Sequence, residues 1–140
     1  VSPIKLSYQV EKDDFTRAGQ ASSSIKKVLR QLGIEPQILR KIAIATYEAE
    51  MNIIIHSEGG SIDVDISAEK ITIIIKDRGP GIENIELAMK VGYSTASQKI
   101  RELGFGAGMG LPNIKRCSDE FRIESSYGEY TKLEIVIYIK

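Results

Sequence analysis

Two short aliphatic alternations, set four residues apart, limit what this chain can fold into. Ile62, Val64 and Ile66 alternate with polar residues, and Ile71, Ile73 and Ile75 do the same just after Glu69-Lys70. A period of two places each trio on one face of a strand, and so short a connection predicts an antiparallel hairpin turning at Glu69-Lys70. Its isoleucine face needs a cover. The segments ahead of it supply one.

Ile4, Leu6, Tyr8 and Val10 also alternate, predicting a first strand, and Asp13 or Asp14 then offers an N-cap for a helix. In that helix Phe15, Ala18, Ile25, Leu29 and Leu32 recur at helical spacings, and Gly33 stands at the left-handed C-cap position. Such a stripe reads as core packing rather than a partner seam. Pro36 suits the first turn of a second helix, whose buried stripe is Ile38, Ile42, Ala45, Ala49 and Ile53, ended by Gly59-Gly60. Beyond the hairpin, a polar, glycine-punctuated stretch runs from Glu83 to about Gly110. A short helix over about Leu111 to Cys117 and strands at Phe121–Ser125 and Leu133–Ile139 follow. The order β-α-α-β-β-loop-α-β-β predicts a two-layer α/β sandwich: a mixed, mostly antiparallel sheet with helices on one face.

One domain over residues 1–140 is expected, because 140 residues at 42% hydrophobic content support one core. Nineteen basic residues balance nineteen acidic ones, which provides no overall field for nucleic acid or an anionic membrane. The single cysteine, Cys117, excludes an internal disulfide. Apolar runs such as Ile53 to Ile55 fall far below the roughly 20 residues of a membrane span, and there is no signal-peptide pattern. A soluble, cytoplasmic protein is expected.

Three places carry chemistry. Glu48 and Asn52 lie one helical turn apart on the second helix, with His56 continuing the line. A carboxylate and an amide so placed can orient a hydroxyl and give Mg²⁺ an oxygen, although a solvated helix face has the same pattern. His56 alone reads as a helix-end or packing residue. Asp77-Arg78-Gly79-Pro80-Gly81-Ile82 follows a buried strand. Its aspartate can accept from an exocyclic amine while the glycines admit a flat ligand, or the segment is a plain turn. Last, Gly104-Phe105-Gly106-Ala107-Gly108-Met109-Gly110-Leu111 runs into a helix with Pro112 in its first turn. Alternate glycines before a helix N-terminus can seat phosphates. The spacing is neither the dinucleotide fingerprint nor the P-loop.

Acid-x-x-x-Asn on a helix, Asp-x-Gly-x-Gly after a strand and Gly-x-Gly-x-Gly before a helix, in that order, resemble the gyrase, heat-shock chaperone and histidine-kinase (GHKL, Bergerat-fold) ATPases. The resemblance spans nearly the whole chain. It implies ATP and Mg²⁺ as ligands, Glu48 as general base, Asn52 as the Mg²⁺ ligand and Asp77 as acceptor of the adenine amine. It further implies that Gly79, Gly81 and Ile82 line the nucleotide pocket, with Thr131 supporting the adenine. Gly106, Ala107, Gly108, Met109, Gly110 and Leu111 would wrap the phosphates, and residues 83–110 would form the ATP lid, from which Lys99 or Arg101 could reach them. Gly92-Tyr93-Ser94-Thr95 and the run Gly110 to Arg116 look like the stand-alone bacterial anti-sigma and switch serine kinases. That family implies phosphorylation of a serine on a small STAS-domain anti-sigma antagonist, or a sigma factor as partner, and many such domains are homodimers. A non-catalytic, ATP-binding anti-sigma or scaffold module is the alternative, and the detached catalytic half of a split histidine kinase a third reading.

Overall fold

The computed structural model describes residues 3–79, 81–82, 85–89 and 110–139. Its elements are β1 (Ile4–Val10), a 3-10 turn (Phe15–Arg17), α1 (Gln20–Gln31), α2 (Pro36–His56), β2 (Gly60–Ile66), β3 (Lys70–Arg78), α3 (Ile85–Ala88), α4 (Gly110–Cys117), β4 (Glu120–Ser126) and β5 (Tyr130–Tyr138). The strands form one sheet in the order β1-β2-β3-β5-β4, and every pairing is antiparallel. The expected order of elements is therefore present, with α3 added inside the segment read as a lid.

The hairpin of the two alternations holds the middle of the sheet. Its register builds continuous apolar rows on one face, such as Leu6, Val64, Ile73, Ile135 and Phe121 across all five strands. The helices cover that face. Ile25 and Leu29 of α1, Ile42, Ala45, Ala49 and Ile53 of α2 and Ile114 of α4 are all fully buried. Each large aliphatic so buried contributes on the order of 1.5–3 kcal/mol. The opposite face carries polar rows, for example Ser7, Asp63, Ile74, Glu134 and Arg122. Among the described residues no helix is long and apolar enough to cross a membrane.

Three sequence expectations change. The helix does not start from Asp13 or Asp14: Asp14 Oδ1 accepts from the Thr16 hydroxyl, a 3-10 turn intervenes, and α1 begins at Gln20 behind Gly19 at φ 91°. Its N-terminus is held by Glu50 of α2, whose carboxylate accepts from the backbone N–H groups of Gly19, Ala21 and Ser22 at 3.0–3.2 Å. A remote side chain thus replaces the local cap. Leu32 leaves the core stripe and stays 43% exposed, because α1 ends at Gln31 and Gly33 turns the chain at φ 75°. The hairpin turn takes four residues, Ser67 to Lys70, closed by Ser67 N–H donating to the Lys70 carbonyl.

Candidate functional site

The inward face of the central strand ends in a carboxylate. Asp77 follows Ile71, Ile73 and Ile75 in phase, and in register it lies between Gly60 of β2 and Thr131 of β5. Its Oδ1 accepts from the Thr131 N–H at 3.1 Å. Burial pushes its carboxyl from 3.8 up to about 6, against the opposing pull of that hydrogen bond. An acceptor held in a partly dry recess suits a neutral donor such as an amine.

Behind Asp77 the polar groups are connected. Thr131 is buried, and its hydroxyl hydrogen-bonds Ser125 Oγ at 3.0 Å. Ser125 Oγ in turn accepts from the Ile82 N–H at 2.7 Å and donates to the Tyr130 carbonyl. The glycines of this stretch meet the β4–β5 turn. Gly79 N–H donates to the Glu129 carbonyl, and a side chain on Gly81, at φ 75°, would stand 2.4 Å from the Ser126 carbonyl oxygen. Close backbone approach is what these two positions demand.

The second cluster lies along α2. Glu48 and Asn52 are both half-buried, and α4 closes on them. The amide of Asn52 sits against Gly110, where a Cβ would be 3.0 Å from Oδ1 and 3.2 Å from Nδ2. One turn into α4, Asn113 Nδ2 lies 3.5 Å from Glu48 Oε1, a marginal hydrogen bond, and Asn113 Oδ1 accepts from Arg116 at 3.3 Å. Cys117 lies in the same neighbourhood. Burial raises its thiol against the charges of Lys41 and Arg116, so it is not an activated nucleophile.

The chain path joins the clusters. After a connection of three residues, Gly60 begins β2 opposite Asp77, and Glu58 N–H to Arg78 O and Arg78 N–H to Gly59 O tie the end of β3 to that connection. His56, the last residue of α2, is a helix-end residue whose burial lowers its imidazole pKa.

The structure thus brings Glu48 and Asn52 together with Gly110, and Asp77 together with Thr131 and the Gly79–Ile82 stretch. Leu111 lies in the first turn of α4, half-buried against the core. Gly106, Ala107, Gly108, Met109, Lys99 and Arg101, with most of the expected 83–110 lid, fall outside the described residues. Sequence reasoning missed Glu50, Asn113 and Ser125. Glu50 was detectable as a carboxylate in phase with the buried face of α2, and Asn113 as the polar residue one turn beyond Gly110. Ser125 had no local signal, since its role depends on the β4–β5 register.

Fold and site together define a two-layer α/β sandwich with a polar edge on α2 and a carboxylate at the end of the central strand. The same fold occurs in the SiaB–SiaC complex of Pseudomonas aeruginosa (TM-score 0.63, 14% identity, 94% of this chain and 88% of that one). It occurs also in the RsbU and RsbW domains of Rv1364c from Mycobacterium tuberculosis (TM-score 0.62, 15% identity, 97% of this chain and 31% of that longer one). The chain belongs to the histidine kinase-like ATPase domain family, which matches residues 12–137. It is similar to the serine/threonine-protein kinase RsbT of Bacillus subtilis, at 31% identity over 119 residues, 82% of this chain and 84% of the relative. It is likewise similar to the anti-sigma F factor of Thermoanaerobacter sp. strain X514, at 35% over 113 residues, 76% of each.

Proposed function

We propose that this chain, a single domain over residues 1–140, is an ATP-dependent protein-serine kinase of a bacterial partner-switching pathway that phosphorylates a STAS-type anti-sigma antagonist in the cytoplasm. The observation that carries this reading is the edge of α2, where α4 holds Asn52 against Gly110 and Asn113 beside Glu48. The named kinase activity of the Bacillus subtilis relative supports it.

Asp77 accepts from the adenine amine, and Thr131 and Ser125 keep its carboxylate in place. Gly79, Gly81 and Ile82 bring the backbone around the base. Gly106, Ala107, Gly108, Met109, Gly110 and Leu111 surround the phosphates. Asn52 would hold Mg²⁺ through its amide oxygen, a sparse hard-oxygen donor set that fits an ion taking its remaining ligands from phosphate and water, and the ion would supply neutralisation of phosphate charge. Glu48 takes the proton of the partner's serine hydroxyl as its oxygen bonds to the γ-phosphorus, the bond to the β-phosphate oxygen breaks, and ADP leaves. Most of the rate comes from positioning and charge neutralisation.

The test is incubation with γ-labelled Mg-ATP and extract of the source cells, followed by identification of the labelled residue. Acid-stable label on serine of a STAS-domain protein is expected. Glu48→Gln is expected to reduce transfer by on the order of 10²–10⁴-fold with ATP affinity nearly unchanged. Undiminished transfer by that variant would remove Glu48 as the base, and acid-labile label would point to a histidine acceptor. A second reading, sequestration of a sigma factor without turnover, draws on the similarity to anti-sigma F factor. Stoichiometric capture with no label selects it.

A further inference from the structure

The sheet face turned away from the helices groups three cations at one end of its central strands, beside the carboxylate of Glu124. Register places Gln9, Ser61, Lys76, Lys132 and Glu124 in one row across all five strands. Within it Lys76 and Lys132 are direct cross-strand partners, an arrangement of like charges that disfavours the fold. Neither has a counter-ion, since the ion pairs among the described residues are Lys12–Glu58 and Arg17–Asp14. Glu124, opposite Lys132, is engaged by the Tyr130 hydroxyl at 2.7 Å.

A third cation is built into the same place. Arg78 lies two residues beyond Lys76 and so on the same face of β3, with Tyr130 as its cross-strand partner. Its Nη2 donates to the Glu58 carbonyl at 3.2 Å and lies 2.8 Å from where a Gly59 Cβ would be. The missing side chain at Gly59 therefore makes room for the guanidinium, and one backbone bond anchors it while other donors remain. Together with Tyr130, and with Asp77 and Gly60 of the strand ends, these residues line a concavity of about 500 Å³.

Lys76 and Lys132 stand one inter-strand spacing apart, about 5 Å, with Arg78 two residues along β3, and the concavity of about 500 Å³ has room for several side-chain carboxylates at once. The chain has no net charge, so anion attraction here is local rather than a property of the whole surface. We propose that this outer face binds an acidic segment of a partner protein, its carboxylates set over Lys76, Lys132 and Arg78.

The probe is a fluorescein-labelled hexaglutamate peptide, titrated by anisotropy at low salt without nucleotide, so the result stands whatever becomes of the kinase reading. Wild-type protein is expected to bind, and Lys76→Gln with Lys132→Gln to weaken binding at least about ten-fold. Lys26→Gln with Lys27→Gln, an equal charge change on exposed α1 positions, is expected to stay within about two-fold. Removing two opposed like charges should preserve folding, and Arg78→Ala provides a second variant with the same expected direction. No binding by the wild type, or equal weakening by both double variants, overturns the proposal. Displacement by inorganic phosphate beyond that by chloride at matched ionic strength does so too, and assigns a small-oxyanion site instead.

Discussion

Replacing Asp77 by asparagine should stabilise the protein without nucleotide and weaken its grip on ATP, two effects of opposite sign from one atom. The side chains are nearly isosteric, and the amide oxygen can still accept from Thr131 N–H. What disappears is the cost of holding a charge in the recess, which lifts the carboxyl from 3.8 to about 6. Taken whole, a shift of that size corresponds to about 3 kcal/mol. Solvent still reaches this half-buried group, and screening reduces the expected gain to about 1–1.5 kcal/mol. The folded state binds the proton more tightly than the unfolded one. Stability contributed by this group is therefore fully present below about pH 4 and is lost as pH rises to about 6. Thermal melts of the two proteins between pH 4 and 8 should coincide at the acid end and separate through that window, with the variant melting about 3–6 °C higher at pH 7.5. Calorimetric titration with Mg-ATP should show the variant binding at least about ten-fold more weakly, the loss of a charge-assisted hydrogen bond. A variant less stable than wild type at pH 7.5, or a pH-independent difference, refutes the desolvation argument; unaltered ATP affinity refutes the adenine role.

Two further perturbations test the frame of the site. Glu50→Ala strands the Gly19, Ala21 and Ser22 N–H groups at the head of α1, and chemical denaturation should show a loss of about 3 kcal/mol or more, whereas a loss below about 1 kcal/mol would contradict the remote cap. Gly81→Ala forces a side chain to within 2.4 Å of the Ser126 carbonyl at a positive φ. It should cost at least about 2 kcal/mol, and wild-type stability would show that the segment does not need its close approach to the β4–β5 turn.

What the sequence disclosed and what it concealed follow from how local each cause is. Strands β1, β2, β3 and β5 were legible because period-two alternation is a local consequence of one buried face. Pro36 and Gly33 marked helix ends because both act within one turn. The start of α1 was not legible, since its cap is 28–31 residues away on α2. The glycines after Asp77 could be seen as special, but what they approach is the backbone of Ser126 to Glu129, set by pairing some 45 residues on. Glu48, Asn52 and Asp77 stood out through their motif. Asn113 and Ser125 serve the same two clusters through tertiary contacts that no spacing announces.

Helix α2 connects the two clusters. Residues 48 and 52 share an edge, while residue 50 points well around the helix, about 200° from residue 48. The edge bearing Glu48 and Asn52 receives the N-terminal turn of α4 through Gly110 and Asn113, and the face bearing Glu50 receives the N-terminus of α1. Its end leads directly into the strand opposite Asp77. A single helix is thereby pinned on both sides and joined to the sheet. The α4 contact differs in kind from the Glu50 cap: three hydrogen bonds to one carboxylate fix α1, whereas α4 is held by core packing, with Ile114 fully buried, and touches the polar edge through Gly110 and Asn113.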